Sequence, residues 1–325
     1  MKPLNPITDT THPILRPRSF AIDSPPMREF EVKVYETVEA GEPSLSAAGP
    51  QRAGKTTTAH FLAKTIERQH TLVIGPIQVP RQQKSNDIDE HEFWAWMLAS
   101  LKNDVMQATA GDTRKVLFNE IYIRADRLEN RRVFLIFDEA QNLTVQHLAL
   151  LKMMVDVLIG KGYSPFALLI GQPELYSMVR RLLKPDRAGR RYVDLIDRFF
   201  TQRYQFRGIT PEELPLVLAA YDRMVFPAGG SITFSAHFAP KLVQDGWRLA
   251  NTANALETEF RRVFNQFQMG PMKELGMKYI TAAVRILLLS LQRTGASSLQ
   301  SITPNLIRQC VDRCGLIDVA RHGQG

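Results

Sequence analysis

Between residue 28 and about residue 209, short unbroken apolar runs alternate with longer stretches whose apolar residues recur at three- and four-residue spacing. The runs are Leu45 to Ala48, Thr71-Leu72-Val73-Ile74-Gly75, Val133-Phe134-Leu135-Ile136-Phe137 and Phe166-Ala167-Leu168-Leu169-Ile170-Gly171. Unbroken runs of this kind suit strands covered on both faces, as in a parallel sheet. Between them, Met27 to Ala40 (Phe30, Val34, Val38), Thr57 to Arg68 (Ala59, Leu62, Ala63, Ile66), Asp89 to Asn103, Thr113 to Arg127 and Thr144 to Ile159 read as helices. Trp94 and Trp96 cannot share one helical face, so one is expected in the core and the other over a seam. The fold class is α/β with a mostly parallel central sheet.

Outside this region the pattern changes. Residues 1–24 carry Pro3, Pro6, Pro13 and Pro17 and read as an extended arm, and Ser24-Pro25-Pro26 reads as a helix start. From Thr210-Pro211-Glu212-Glu213 the strand runs stop. Helical stripes follow at Leu214 to Met224, Ala236 to Asp245, Asn251 to Gln266, Met272 to Leu291 and Thr303 to Cys314. The expected organisation is an arm (1–24), an α/β nucleotide-binding domain (25–209) and a helical lid and C-terminal region (210–325).

The candidate chemistry sits at the ends of the runs. Gly49-Pro50-Gln51-Arg52-Ala53-Gly54-Lys55-Thr56 is a full G-x-x-x-x-G-K-[ST] phosphate loop between a strand and a helix. Its backbone N–H groups, with Thr57 beyond them, would cradle a polyphosphate at a helix N-terminus. Lys55 would reach the β- and γ-phosphates, and the Thr56 hydroxyl would ligate Mg2+; Thr57 and Thr58 are out of register for that ligand. The Val133–Phe137 run ends in Asp138-Glu139, at the side of an α/β sheet that faces its ligand crevice. Asp138 would hold Mg2+ through its water shell and Glu139 would polarise the attacking water, which makes ATP and Mg2+ the expected substrate and cofactor. The adjacent acids are also compatible with capping the next helix. Gln172, after the Phe166–Gly171 run, is a candidate to face the γ-phosphate; Gln172-Pro173 equally suits a strand-to-helix turn.

Composition changes the picture little. Of 325 residues, 44% are hydrophobic and 23% charged, ordinary for a soluble globular chain. No apolar stretch reaches membrane-spanning length, the longest being broken by Arg285, and the N-terminus lacks a secretory pattern. Cys310 and Cys314 sit four apart on a helical stretch, a spacing that disfavours a disulfide and lacks the other ligands of a metal site, and the seven histidines are scattered, so no metal site beyond Mg2+ is expected. A reducing cytoplasm fits. The net charge of +8 points to a polyanionic partner, and nine basic residues fall between Val179 and Arg207 against three acids. That run suits a solvated face, a subunit contact or a nucleic-acid contact. The polar segment 76–89, with Arg81 and Lys84, is either a solvated loop or a DNA-phosphate contact.

In that order of motifs the chain resembles the AAA+ ATPases. Leu135-Ile136-Phe137-Asp138-Glu139-Ala140-Gln141-Asn142 and Leu169-Ile170-Gly171-Gln172-Pro173-Glu174-Leu175 are similar to the TnsC/TniB branch of transposition regulators, related to MuB and to ExeA-like ATPases. The resemblance spans about residues 28–265 and implies an AAA+ fold with a helical lid. It implies an ATP-dependent protein of the bacterial cytoplasm that oligomerises on double-stranded DNA, with six or seven protomers per turn as a ring or helix. It further implies contacts with a transposase and a TniQ-like target-selection adaptor, in some relatives within CRISPR-associated transposons. By position it makes Gln172 the first sensor and Arg198 or Arg203 the arginine finger. Arg248, in Gly246-Trp247-Arg248 with Asn251 next along, takes the second-sensor place, although the family often has its Arg three residues after the Gly. DNA contacts are expected at Arg81, Lys84, Arg114 and Lys115. An ExeA-like ATPase acting on a protein partner is the alternative.

Overall fold

A computed structural model describes residues 11–16, 20–81, 90–102, 109–185 and 192–322. The chain divides into two compact units. One comprises residues 29–50 and 55–206; the other comprises 1–28, 51–54 and 207–325.

In the first unit the elements alternate. Helix α1 (Pro25–Glu39) enters it and is followed by β1 (Ser44–Ala48), α2 (Lys55–Arg68), β2 (Leu72–Gln78), α3 (Glu90–Ser100), α4 (Ala110–Ala125) and β3 (Arg132–Asp138). Then come α5 (Val145–Gly160), β4 (Ser164–Gly171), α6 (Ser177–Leu183), α7 (Val193–Phe199) and β5 (Arg203–Gln205). The strands form one sheet in the order β2-β3-β4-β1-β5, with every pairing parallel. Parallel strands need crossovers, and the helices that supply them cover both faces. Val133, Leu135 and Phe137 of β3 and Ala167 and Leu169 of β4 are buried with Phe93, Trp94, Leu148 and Leu151 in a single core. Trp94 is fully enclosed and Trp96 packs partly buried against the same core, the division expected of the pair.

Each terminal strand departs from the sequence pattern. The β2 run was expected to end at Gly75 but continues to Gln78, with a register shift against β3 between Ile74 and Ile77. Pro76 is tolerated because β2 is an edge strand and the irregularity spares the ladder the missing N–H. At the other edge β5 is three residues long and mostly exposed, too short to leave a periodic signal. The small side chains of β1 are tied from within: the Ser44 hydroxyl donates to the Arg198 carbonyl (2.6 Å) and Ser46 to the Gln202 carbonyl (3.0 Å).

The second unit is helical. It contains α8 (Leu214–Arg223), α9 (Phe234–Phe238), α10 (Pro240–Gln244), α11 (Ala253–Gln266), α12 (Met277–Thr294), α13 (Pro304–Asp312) and α14 (Leu316–His322). The stripe expected as one helix over Ala236–Asp245 is two short helices. Ala239 precedes Pro240, which disfavours the helical region for it, and it takes φ −137° and ψ 60°. Helix α12 starts five residues later than the pattern implied, because Leu275 pairs with Ile209 in a short antiparallel bridge. Helix α11 presents Leu256, Phe260 and Val263 to a core shared with Val284, Leu287 and Ile307. The arm is not wholly extended. Pro13–Leu15 form a 3-10 turn capped by the His12 imidazole, whose ring packs within 4.4–4.7 Å of Phe226, Phe234, His237 and Phe238. Cys310 and Cys314 are free thiols in this core, and burial pushes them up to about 12 and about 11. Among the described residues no helix is long and apolar enough to cross a membrane, and no cluster of side chains could form a further metal site.

Candidate functional site

The carboxyl ends of β1, β3 and β4 lie side by side in the sheet, so whatever follows each strand meets the same crevice. After β1 comes the phosphate loop. Its tip needs a backbone that ordinary residues avoid: Gly54 has φ +110°, and Arg52 holds φ +66° despite its side chain. A non-glycine residue in that region costs on the order of 1 kcal/mol or more, which marks a loop shaped for a task rather than for stability. Helix α2 then starts at Lys55, with its unpaired N–H groups and the positive end of its dipole at the loop.

Lys55 is 7% exposed, and its ammonium donates to the carbonyls of Gly49 (2.8 Å) and Pro50 (2.7 Å). Burial lowers its pKa from the ordinary lysine value, opposed by the charges of Glu139, Asp138 and Glu174. An ammonium so placed is partly stripped of water and flanked by acids, ready to exchange loop carbonyls for phosphate oxygens.

After β3, Asp138 is 2% exposed, and its Oδ1 accepts from the Glu139 N–H (2.9 Å). Its Oδ2 is buried without a hydrogen bond. Burial raises the Asp138 pKa, while the Thr56 hydroxyl and the Glu139 N–H oppose the rise. A buried carboxylate oxygen lacking a donor, beside a threonine hydroxyl, is the hard-oxygen set that Mg2+ takes, and a cation there would offset the desolvation. These residues fit the ion.

Glu139, the residue after β3, has φ +55°, the left-handed region. Its Oε2 accepts from Gln141 Nε2 (2.5 Å) and from Gln172 Nε2 (3.1 Å). Gln172, expected to face the γ-phosphate, lies with its side-chain amide against the Glu139 carboxylate. Gln141, to which the motifs assign no role, also accepts the Gln172 N–H through Oε1 (2.9 Å). Its position two residues after the acid, within the 3-10 turn Ala140–Asn142, is the signal that sequence reasoning passed over.

The other candidates are more dispersed. Arg198, on α7, pairs with Asp156 on α5 (2.7 Å), and Arg203, opening β5, donates to the Phe200 carbonyl (2.8 Å) with its guanidinium over the Tyr176 ring. Arg248 lies in the helical unit, where its Nη1 donates to the carbonyls of Val243 and Trp247. Arg114 and Lys115 lie on α4, facing Glu90 (3.8 Å) and Asp112 (3.6 Å). Arg81 is exposed at the end of the described segment after β2, and Lys84 lies outside the described residues. The basic run is not one bare face. Arg180, Arg181 and Lys184 are exposed, but Arg198 is paired and Arg207 is held in a two-pronged bridge by Glu213 (2.7 and 2.6 Å); Arg187, Arg190 and Arg191 lie outside the described residues.

Residues 39–179, which contain the loop and both strand-end motifs, match the family described as AAA domain. No curated protein sequence matches the chain. Among solved structures, the Aeropyrum pernix ORC2 protein, in ADPNP–ADP complexes, superposes with a TM-score of 0.57 at 14% identity, over 92% of this chain and 69% of that one. A Walker-type ATPase of Pyrococcus abyssi gives 0.49 at 13% identity, over 97% and 78%. Domain III of the Thermotoga maritima replication initiation protein DnaA gives 0.45 at 12%, over 95% and 98%. Residues 39–179 are thus similar to the AAA domain, and the chain has the AAA+ P-loop ATPase fold, a five-stranded parallel sheet with flanking helices followed by a helical C-terminal region.

Proposed function

We propose that the protein is a Mg2+-dependent ATPase that acts as a DNA-binding transposition regulator of the TnsC/TniB type. The observation that carries the ATPase part is the meeting, at three adjacent strand ends, of Lys55, Thr56, Asp138, Glu139 and Gln172. The tasks divide among them, with Gln172 facing the γ-phosphate. The loop N–H groups and Lys55 would bind the phosphates, Thr56 and Asp138 would hold Mg2+, and Glu139 would take a proton from the water as the water's oxygen bonds to the γ-phosphorus and the bond to the bridging oxygen breaks. When bound there, Mg2+ would supply neutralising charge to the phosphates. ADP and phosphate leave.

The regulator part rests on the similarity of the Asp138–Asn142 and Gly171–Leu175 motifs to that branch and on the net charge of +8. In this reading ATP-bound protomers assemble on duplex DNA, an arginine of the next protomer, Arg198 or Arg203, completes the γ-phosphate site, and hydrolysis releases the assembly. Transposase and a TniQ-like adaptor are the protein partners.

Phosphate release and duplex gel shifts in ATP, ADP and a non-hydrolysable analogue test both parts. Lys55→Ala should abolish nucleotide-dependent binding. Glu139→Gln should bind ATP and DNA but turn over about a hundredfold or more slowly, the range for loss of a positioned general base. Turnover without any nucleotide-dependent shift of DNA would move the reading to a protein-partner ATPase of the ExeA-like kind.

A further inference from the structure

The carboxylate of Glu139 is held by two side-chain amides, and only one of them belongs to a residue with an assigned task. Gln141 Nε2 lies 2.5 Å from Glu139 Oε2, closer than Gln172 Nε2 at 3.1 Å, and the Gln141 Oε1 accepts the backbone N–H of Gln172 at 2.9 Å. The three side chains close a ring in which Gln141 uses both ends of its amide. It donates to the acid that follows β3 and accepts from the residue that follows β4.

The surroundings are built for this bridge. The turn carrying Gln141 is closed by the Asn142 N–H donating to the Glu139 carbonyl (2.9 Å) and anchored by Asn142 Nδ2 donating to the Val79 carbonyl beyond β2 (3.0 Å). On the facing strand, a Cβ at Gly171 would stand 2.6 Å from Gln141 Oε1 and 3.2 Å from its backbone nitrogen. A side chain there would displace the Gln141 amide from this position, so glycine at the last residue of β4 leaves room for the bridge.

We propose that Gln141 is a positioning residue for Glu139, tying the water-activating carboxylate to Gln172 so that the two respond to the γ-phosphate as one unit. This rests on the ATPase reading above. Both amide donors fall on Oε2, which leaves Oε1 as the oxygen that meets the water. A carboxylate reached through a left-handed backbone at φ +55° has no strand to fix its direction, and the bridge supplies it.

Three variants, with Gln172→Met alone as the reference for the double change, and steady-state ATP hydrolysis test this, with binding of a fluorescent ATP analogue as the check on folding. Gln141→Met keeps length and volume without hydrogen bonds; kcat should fall about tenfold to a hundredfold, the scale of a misplaced catalytic group, while the KM for ATP stays within about threefold. Gln141→Glu keeps the acceptor for Gln172 but sets a carboxylate where the donor was, so it should be slower than Gln141→Met. If Gln141 were only a strut for the Gln172 backbone, Gln141→Glu would hydrolyse ATP like the wild type, which would overturn the proposal. In the third variant, Gln141→Met combined with Gln172→Met, the losses should be clearly less than multiplicative, because each single change already frees Glu139. Unchanged kcat in Gln141→Met, or kcat and analogue binding lost together in both single Gln141 variants, would also overturn it. A wild type that binds the analogue but releases no phosphate with Mg2+ would instead sink the ATPase reading on which it stands.

Discussion

Single residues in this protein are tuned by what surrounds them more than by what they are, and His147 shows the effect where no catalysis is involved. It caps α5, its Nδ1 accepting the Thr144 N–H (3.2 Å), and its ring is stacked 5.4 Å from Phe93 with Trp96 alongside. Burial lowers its pKa from 6.5 to about 4. The folded state therefore holds it neutral while the unfolded chain takes up a proton below pH 6.5. Its contribution to stability is constant above that pH, shrinks as pH falls from 6.5 towards 4, and is level below. At about 1.4 kcal/mol per unit, the loss across that window is about 3 kcal/mol. Denaturant midpoints of the wild type and of His147→Gln between pH 4 and 7 check this; the variant should lack most of the wild type's added acid sensitivity in that window. The same logic explains why Asp138 and Lys55 could be named from sequence while their state could not. A motif gives residue and spacing, but the orphaned Oδ2 and the carbonyl-bound ammonium arise from burial by strands far apart in the chain.

At the scale of elements, strands β1, β3 and β4 and helices α2, α5 and α8 are legible in the sequence because their apolar pattern is dense and their ends are marked by glycine, acid or proline. What is lost follows from physics that periodicity does not record. The order β2-β3-β4-β1-β5 places β1 between strands that follow it by more than a hundred residues, a choice made by crossover packing. Three-residue β5 and the broken pair α9 and α10 have too few turns of pattern to be read. Gln141 was visible but had no meaning until β4 was laid beside β3. Charge networks between helices belong to this scale too. Glu259 on α11, 9% exposed, accepts from Arg262 (2.5 Å) and from Arg308 of α13 (3.3 Å), and Arg262 also reaches Asp312 of α13. Removing the shared acid leaves two guanidinium groups facing each other. Glu259→Ala should therefore destabilise the helical unit by about 1–3 kcal/mol, read by chemical denaturation, while Glu257→Ala, in an exposed pair with Arg261, should cost well under 1 kcal/mol.

For the whole molecule the question is how a net charge of +8 is deployed. Half of the expected DNA contacts are already partly neutralised, since Arg114 and Lys115 face Glu90 and Asp112. On the DNA-binding reading proposed above, Arg114 and Lys115 would therefore release fewer counterions than fully solvated cations. In the presence of an ATP analogue, duplex affinity should fall with salt, and Arg81→Ala with Lys84→Ala should make the log–log slope shallower by about two units per protomer, whereas Arg114→Ala should change it by less than one. A slope that none of these substitutions moves would rule out these residues as the DNA contacts.

The two cysteines give this molecule a built-in clock. Cys310 and Cys314 are enclosed in the core of the helical unit and held far from thiolate form, so a maleimide reaches them only when that core opens. Their labelling rate therefore measures the opening of the helical unit alone, residue numbers 310 and 314 by mass. Labelling followed with ADP, with the ATP analogue and with duplex DNA should slow in step with whatever ligand steadies that unit. A fluorophore attached at an engineered surface cysteine, meanwhile, would report on assembly against a silent native background.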